Sequence, residues 1–267
     1  MTNIDPIEAS MKMASEGKTT QAKKILMNAL TQNKDNIEIL NALGDLTFLS
    51  EELDDAAHFY EKSLKIFSQQ PDILFNVALI HKDSGNALKA LEAYTRLLEI
   101  RPNDLESLNN RGNILRELSL FEKAFQDLNK ANEIINNQKI TSLHEAEPWV
   151  IYLNLGNVLI LMGRYTEANN FIDKGLVLKP NSFELQKSKG AILFYLTYYQ
   201  EAITHYHAAL KIKPHDIEIQ FDIALAHLSI GNYDEGFKCY ESRAGVKKLE
   251  GIWTGQEGVS ENYQESR

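Results

Sequence analysis

Three asparagines have the type and spacing for recognition chemistry. Asn76 and Asn110 are 34 residues apart, and Asn154 follows after 34 residues and an extra ten. The same register places Ala42 before them and Ser188 and Asp222 after them. An asparagine side chain carries a carbonyl acceptor and an amide donor group. It can therefore pair with both the C=O and the N–H of an extended peptide, whatever the peptide's side chains. A ladder of such amides in successive units has the chemistry of a backbone-reading groove. Around it stand Asn41 and Asn109 one position earlier, and Asp45, Asn113 and Asn157 three positions later. Spacings of three and four put these neighbours on one polar stripe of a helix.

Other chemistry finds little footing. The seven histidines are scattered. His205 and His207 are two apart on an expected helix, so they point to different faces and are poorly placed to share a metal. His81 and His227 recur at one repeat position, where packing is the plain reading. Cys239 lies near Phe237 and Tyr240 and reads as a packed thiol rather than a nucleophile. No glycine-rich phosphate loop follows a strand, because no convincing strand is present. The sequence therefore implies no catalytic residue, no metal and no cofactor.

The elements that must carry the asparagines are set by a repeat. Ala22, Ala56, Ala90 and Ala124 are 34 residues apart, and the series resumes ten residues late at Ala168, Ala202 and Gly236. Twelve residues before each stands another small residue or serine: Ser10, Gly44, Ala78, Gly112, Gly156, Gly190 and Ala224. Four residues after each comes Leu26, Tyr60, Tyr94, Leu128, Ile172, Tyr206 or Tyr240. A period of this length means a stack of repeated units in an all-α chain. Each unit reads as two helices brought close by the small residues, with the large side chain filling the space between hairpins. Gly17, Gly85, Gly163 and Gly231 mark the turns between the helices. Pro102, Pro180 and Pro214 stop the second helix, since proline lacks the amide and its ring clashes with the preceding turn.

This pattern resembles the tetratricopeptide repeat, most clearly from Leu74 through Ala78, Gly85, Ala90 and Tyr94 to Pro102, and from Leu155-Gly156 through Tyr165 and Ala168 to Pro180. The resemblance covers about residues 3 to 250 and implies a right-handed α-solenoid of about seven hairpins. The units are 3–36, 37–70, 71–104, 105–138, 149–182, 183–216 and 217–250, with four repeats over 3–138 and three over 149–250. The insert 139–148 (KITSLHEAEP) is expected to extend the preceding helix and then loop out, with Pro148 opening the next helix. In this family the first helix of each unit lines the concave side. By that resemblance, Asn76, Asn110 and Asn154 correspond to the ladder of O-linked N-acetylglucosamine transferases that holds a substrate backbone. The alternative is that they bridge or cap neighbouring helices. Repeat position also brings Phe75, Lys82 and Arg116 to the groove, as groups that tune selectivity.

The last unit, Gly231-Asn232-Tyr233-Asp234-Glu235-Gly236-Phe237 followed by Tyr240-Glu241-Ser242-Arg243, is similar to the repeat that precedes a glycosyltransferase domain in many bacterial proteins. Ile252-Trp253-Thr254-Gly255 is similar to the entrance of that domain. The remaining polar tail, within 251–267, is expected to be disordered and too short for such a domain.

Composition fits a cytoplasmic chain, with 43% hydrophobic and 24% charged residues and one cysteine. No apolar run is long enough to span a membrane. A net charge of −9 argues against nucleic acid as the main partner. Glu38, Asp72, Glu106, Glu184 and Glu218, near the start of their units, read as first-turn acids favoured by the helix dipole. They would repel a terminal carboxylate. The sequence thus predicts a non-catalytic scaffold that binds protein or peptide segments. A substrate-recognition module of a glycosyltransferase is the alternative, and self-association a third possibility.

Overall fold

The computed structural model describes residues 5–137 and 147–242, and every regular element among them is a helix. The chain divides into two compact units after Gly163. The first holds α1 (Pro6–Ser15), α2 (Thr19–Gln32), α3 (Ile37–Leu49), α4 (Leu53–Ile66), α5 (Pro71–Asp83), α6 (Ala87–Ile100), α7 (Leu105–Glu117), α8 (Phe121–Asn137) and α9 (Pro148–Leu161). The second holds α10 (Tyr165–Leu178), α11 (Phe183–Tyr195), α12 (Tyr199–Ile212), α13 (Ile217–Ser229) and α14 (Tyr233–Ser242). Within each unit consecutive helices pack in pairs, and each pair packs on the next. None of the described helices is long and apolar enough to cross a membrane.

Local chemistry explains the punctuation. Asn36, Asp104, Ser182 and Asp216 close their repeats and cap the next helix, each accepting from a backbone N–H three residues on. α6, α10 and α12 each end two residues before Pro102, Pro180 or Pro214. Pro148 occupies the first turn of α9, as expected. α8 runs to 17 residues against 14 for α4 and α6, ending at Asn137. Most of the insert and all of the tail lie outside the described residues.

The turn inside each hairpin needs one residue with positive φ. Gly17, Gly85, Gly163 and Gly231 supply it, at 72° to 78°. Glu51, Ser119 and Thr197 hold the same repeat position at 59° to 66° with no glycine to ease it.

The small and large residues interlock across a hairpin. A Cβ on Gly44 would lie 2.3 Å from the Tyr60 ring, and one on Gly190 would lie 2.5 Å from Tyr206. In the first unit Leu26, Leu40 and Leu43 belong to one apolar cluster. In the second, Phe183, Tyr206, Ile219 and Ile223 form another, with Cys239 packed against it. Burial leads the causes that push the Cys239 thiol up, which suits a packed rather than a nucleophilic group.

Candidate functional site

The ladder asparagines sit on the first helices of successive hairpins in the first unit, all half-buried. Asn76 on α5 donates from Nδ2 to Tyr60 Oη at 3.2 Å. The Tyr60 hydroxyl in turn donates to Asp45 Oδ1 at 2.6 Å, so α3, α4 and α5 are tied by one polar chain. Burial, followed by Asp45, pushes the Tyr60 phenol up. Asn110 stands next to the Tyr94 hydroxyl, which burial also pushes up. That hydroxyl has no partner within hydrogen-bonding geometry. Asn154 on α9 donates to Asn109 Oδ1 on α7 at 2.8 Å. Asn76 and Asn154 thus each bridge to a neighbouring helix. Each amide nitrogen carries two hydrogens, so one bond leaves a second N–H to offer.

The surrounding polar residues divide into paired and unpaired atoms. Asn41 donates to Gln70 Oε1 at 2.8 Å, and Gln70 donates to Ser63 Oγ at 3.0 Å. Asn41 Oδ1, Asn113 Oδ1 and Arg116 Nε are buried and lack a hydrogen-bond partner among the described residues. Asn157 is half-buried on α9. Lys82 approaches its neighbour Asp83 at 3.7 Å and also acts on the Glu106 carboxyl, which it favours in the charged form.

A recess of about 300 Å³ opens beside Phe75 and Asn76, with Asp72, Arg101, Asp104 and Glu106 at its edge. Phe75 meets the Tyr94 ring edge-on, with centroids 5.9 Å apart. Arg101 holds Asp72 through two contacts, of 2.7 and 3.4 Å. Burial, then Asp104, raises the Glu106 carboxyl. Sequence position points to Phe75, Asn76 and the first-turn acids but not to Arg101. The signal was present: Lys213 and Glu184 repeat the Arg101–Asp72 spacing of 29 and also pair, at 3.4 Å.

The second unit changes the chemistry at the ladder position. Ser188 is buried there, and Asp222 stands near Tyr206, much as Asn76 stands near Tyr60. Burial is the main cause that lifts the Asp222 carboxyl to about 6. Among the described residues no cluster of His, Cys, Asp and Glu has the geometry to hold a metal.

A family model described as tetratricopeptide repeat matches residues 71–104, 105–138 and 150–182. These three segments are tetratricopeptide repeats. The remaining hairpins follow the same pattern, and known structures agree with it. A tetratricopeptide repeat protein from Parabacteroides merdae superposes with a TM-score of 0.63 over 92% of this chain and 93% of that one, at 19% identity. Protein O-mannosyl-transferase TMTC1 of Homo sapiens is 28% identical over 116 residues, which are 42% of this chain and 12% of that protein. N-alpha-acetyltransferase 16, the NatA auxiliary subunit of Mus musculus, is 26% identical over 174 residues, 60% of this chain and 19% of that subunit. The chain therefore spans less than a fifth of the length of either relative.

Proposed function

We propose that the first unit is a non-catalytic docking scaffold that holds an extended segment of a partner protein along Asn76, Asn110 and Asn154. One observation carries this reading. Amides at one repeat position stand half-buried on α5, α7 and α9, while Asn41 Oδ1, Asn113 Oδ1 and Arg116 Nε nearby lack partners among the described residues. A peptide backbone offers both the donor and the acceptor that such atoms need. In this reading the bonds to Tyr60 and Asn109 fix the amide orientation before the ligand arrives. Phe75, Lys82 and Arg116 select among segments by packing and charge, and Asn157 extends the polar stripe on α9.

The test is a pull-down from source cells that compares wild type with the Asn76→Ala, Asn110→Ala, Asn154→Ala triple variant. Partners retained by wild type and lost by the folded triple variant support the reading. An identical partner list for both proteins contradicts it.

The second reading is a substrate-recognition module that serves a glycosyltransferase in cis or in trans. It is supported by the similarity to the O-mannosyl-transferase and by the resemblance of the last repeat to those that precede transferase domains. A transferase among the ladder-dependent partners would favour it. The similarity to a NatA auxiliary subunit favours the plain adaptor.

A further inference from the structure

A second groove lies on the other side of α5. Leu74, Val77 and His81 are spaced by three and four residues, so they share one face of the helix. At 3.6 residues per turn that face is roughly opposite Asn76. Here α4 and α6 flank α5 and leave a cleft of about 420 Å³. Its floor is apolar and buried: Leu64, Leu74, Val77 and Ala93.

The cleft exists because two side chains are small. The equivalent place in other hairpins is marked by the residue at the position of Val77 and, in the hairpins on either side, the residue 16 further on. In the hairpin before, they are Leu43 and Phe59, and both are buried. In the hairpin after, they are Arg111 and Asp127, joined by two contacts of 2.6 and 2.7 Å, and Arg111 also reaches Thr95 at 3.4 Å. In the second unit Lys189, at the position of Val77, bonds Asn169 and Asp173. Only the Val77 and Ala93 pair, among these four, leaves the space unfilled by the protein's own side chains.

The rim is cationic, although the whole chain carries −9. Lys65, Lys89 and Arg96 line the cleft, and none is ion-paired among the described residues. Of the two acids beside them, Glu61 is already bonded to His81 Nε2 at 3.1 Å, and Glu92 has no hydrogen-bond or ion-pair partner among the described residues. By contrast Arg101 and Arg111 in the same unit are both paired. An apolar floor beside three unpaired cations, which outnumber the two acids, complements one kind of ligand.

We propose that this cleft docks an acidic segment of a partner protein, which inserts one apolar side chain between α4 and α6 and sets its carboxylates against Lys65, Lys89 and Arg96. The apolar floor supplies affinity by burial, and the rim supplies selectivity and encounter rate. A bare polyanion does not use the floor. This site is independent of the asparagine ladder.

The experiment is fluorescence anisotropy with the full chain and a short labelled peptide in which a leucine is flanked on both sides by glutamates. The lysine-flanked peptide and a single-stranded oligonucleotide serve as controls. Wild type should bind the acidic peptide in preference to both controls, and more weakly as salt rises. Reversing the exposed rim with Lys65→Glu, Lys89→Glu and Arg96→Glu should weaken binding by roughly tenfold or more, since three screened attractions become repulsions. Filling the cleft with the neighbouring hairpin's own pair, Val77→Arg with Ala93→Asp, should abolish it in a protein that still melts cooperatively. The ladder triple variant should bind the peptide as wild type does. The proposal is overturned if wild type does not bind the acidic peptide, if either control binds equally well, or if the rim-reversed protein keeps wild-type affinity. The rim variant decides the matter if the filled variant fails to fold.

Discussion

The two units build the same hairpin but place different chemistry at the same tier. In the first, Gly44 receives the Tyr60 ring, and Asn76 meets the Tyr60 hydroxyl. In the second, Gly190 receives Tyr206, and Asp222 takes the place of the asparagine. An amide stays neutral at every pH and both donates and accepts. A carboxyl held at about 6 changes charge near neutrality. The frame is thus set by packing and is common to both units. The chemistry the tier offers is set by one side chain per repeat and differs between them.

The largest effect should fall on the shared frame. Tyr60→Ala and Tyr206→Ala each remove a fully or nearly fully buried ring. Each should destabilise by about 3–5 kcal/mol, the usual range for emptying an aromatic site. Chemical denaturation of the two variants checks this. A loss confined to one of them would break the claim that the units share a frame.

Next comes the close approach itself. Gly44→Ala and Gly190→Ala force a methyl group into the rings of Tyr60 and Tyr206. Each should lower stability by about 1–3 kcal/mol, the cost of overpacking. Gly17→Ala makes a useful contrast. Nothing lies within 4 Å of its Cβ position, so its penalty comes from the positive φ alone.

The hairpin frame was legible in the sequence because it depends on identities that recur. Small residues, large residues 16 positions after the first of them and closing prolines each return in register, and the helices follow. Polar pairs inside a hairpin, such as Arg111 with Asp127, were not legible, because their positions change content from unit to unit. Arg111 finds Asp127, while the equivalent residues elsewhere are Val77 with Ala93 or Leu43 with Phe59. A pair that occurs once has no period to reveal it. The ladder positions were legible too, but their partners were not. The extra ten residues before Asn154 break the register, and its amide meets Asn109 where Asn76 meets a tyrosine.

The tier chemistry separates the units by pH. Asp222 titrates at about 6 in the folded chain against an ordinary 3.8. The folded state therefore binds this proton more tightly than the unfolded state does. The stability it gives is complete below about 4 and is lost as pH rises through about 6. Asp222→Asn should remove that dependence and raise stability at pH 7 by about 1 kcal/mol, a figure reduced for the partial exposure of the group. Thermal melts of both proteins from about pH 4 to 7 check it. An unchanged slope in the variant would show that the second unit's tier is not the titrating element.

The smallest effect concerns the turns. Thr197→Gly in the second unit relieves a β-branched residue at φ 66°, and Glu51→Gly in the first relieves an unbranched one at 59°. The relief is partly offset by the entropy that glycine adds to the unfolded chain. The net gain should be about 0.5 kcal/mol at Thr197 and less at Glu51. The difference in melting temperature between the two variants measures it.

The central claim is that the first unit's asparagines read a peptide backbone. Once a bound segment has been mapped, calorimetry on a double cycle tests this directly. One arm replaces Asn110 with alanine, and the other N-methylates the peptide amide that faces it. If the asparagine reads that amide, each change alone weakens binding by about 1 kcal/mol, and the two together weaken it no further. Fully additive losses would mean that Asn110 and the peptide backbone do not meet, and would contradict the account.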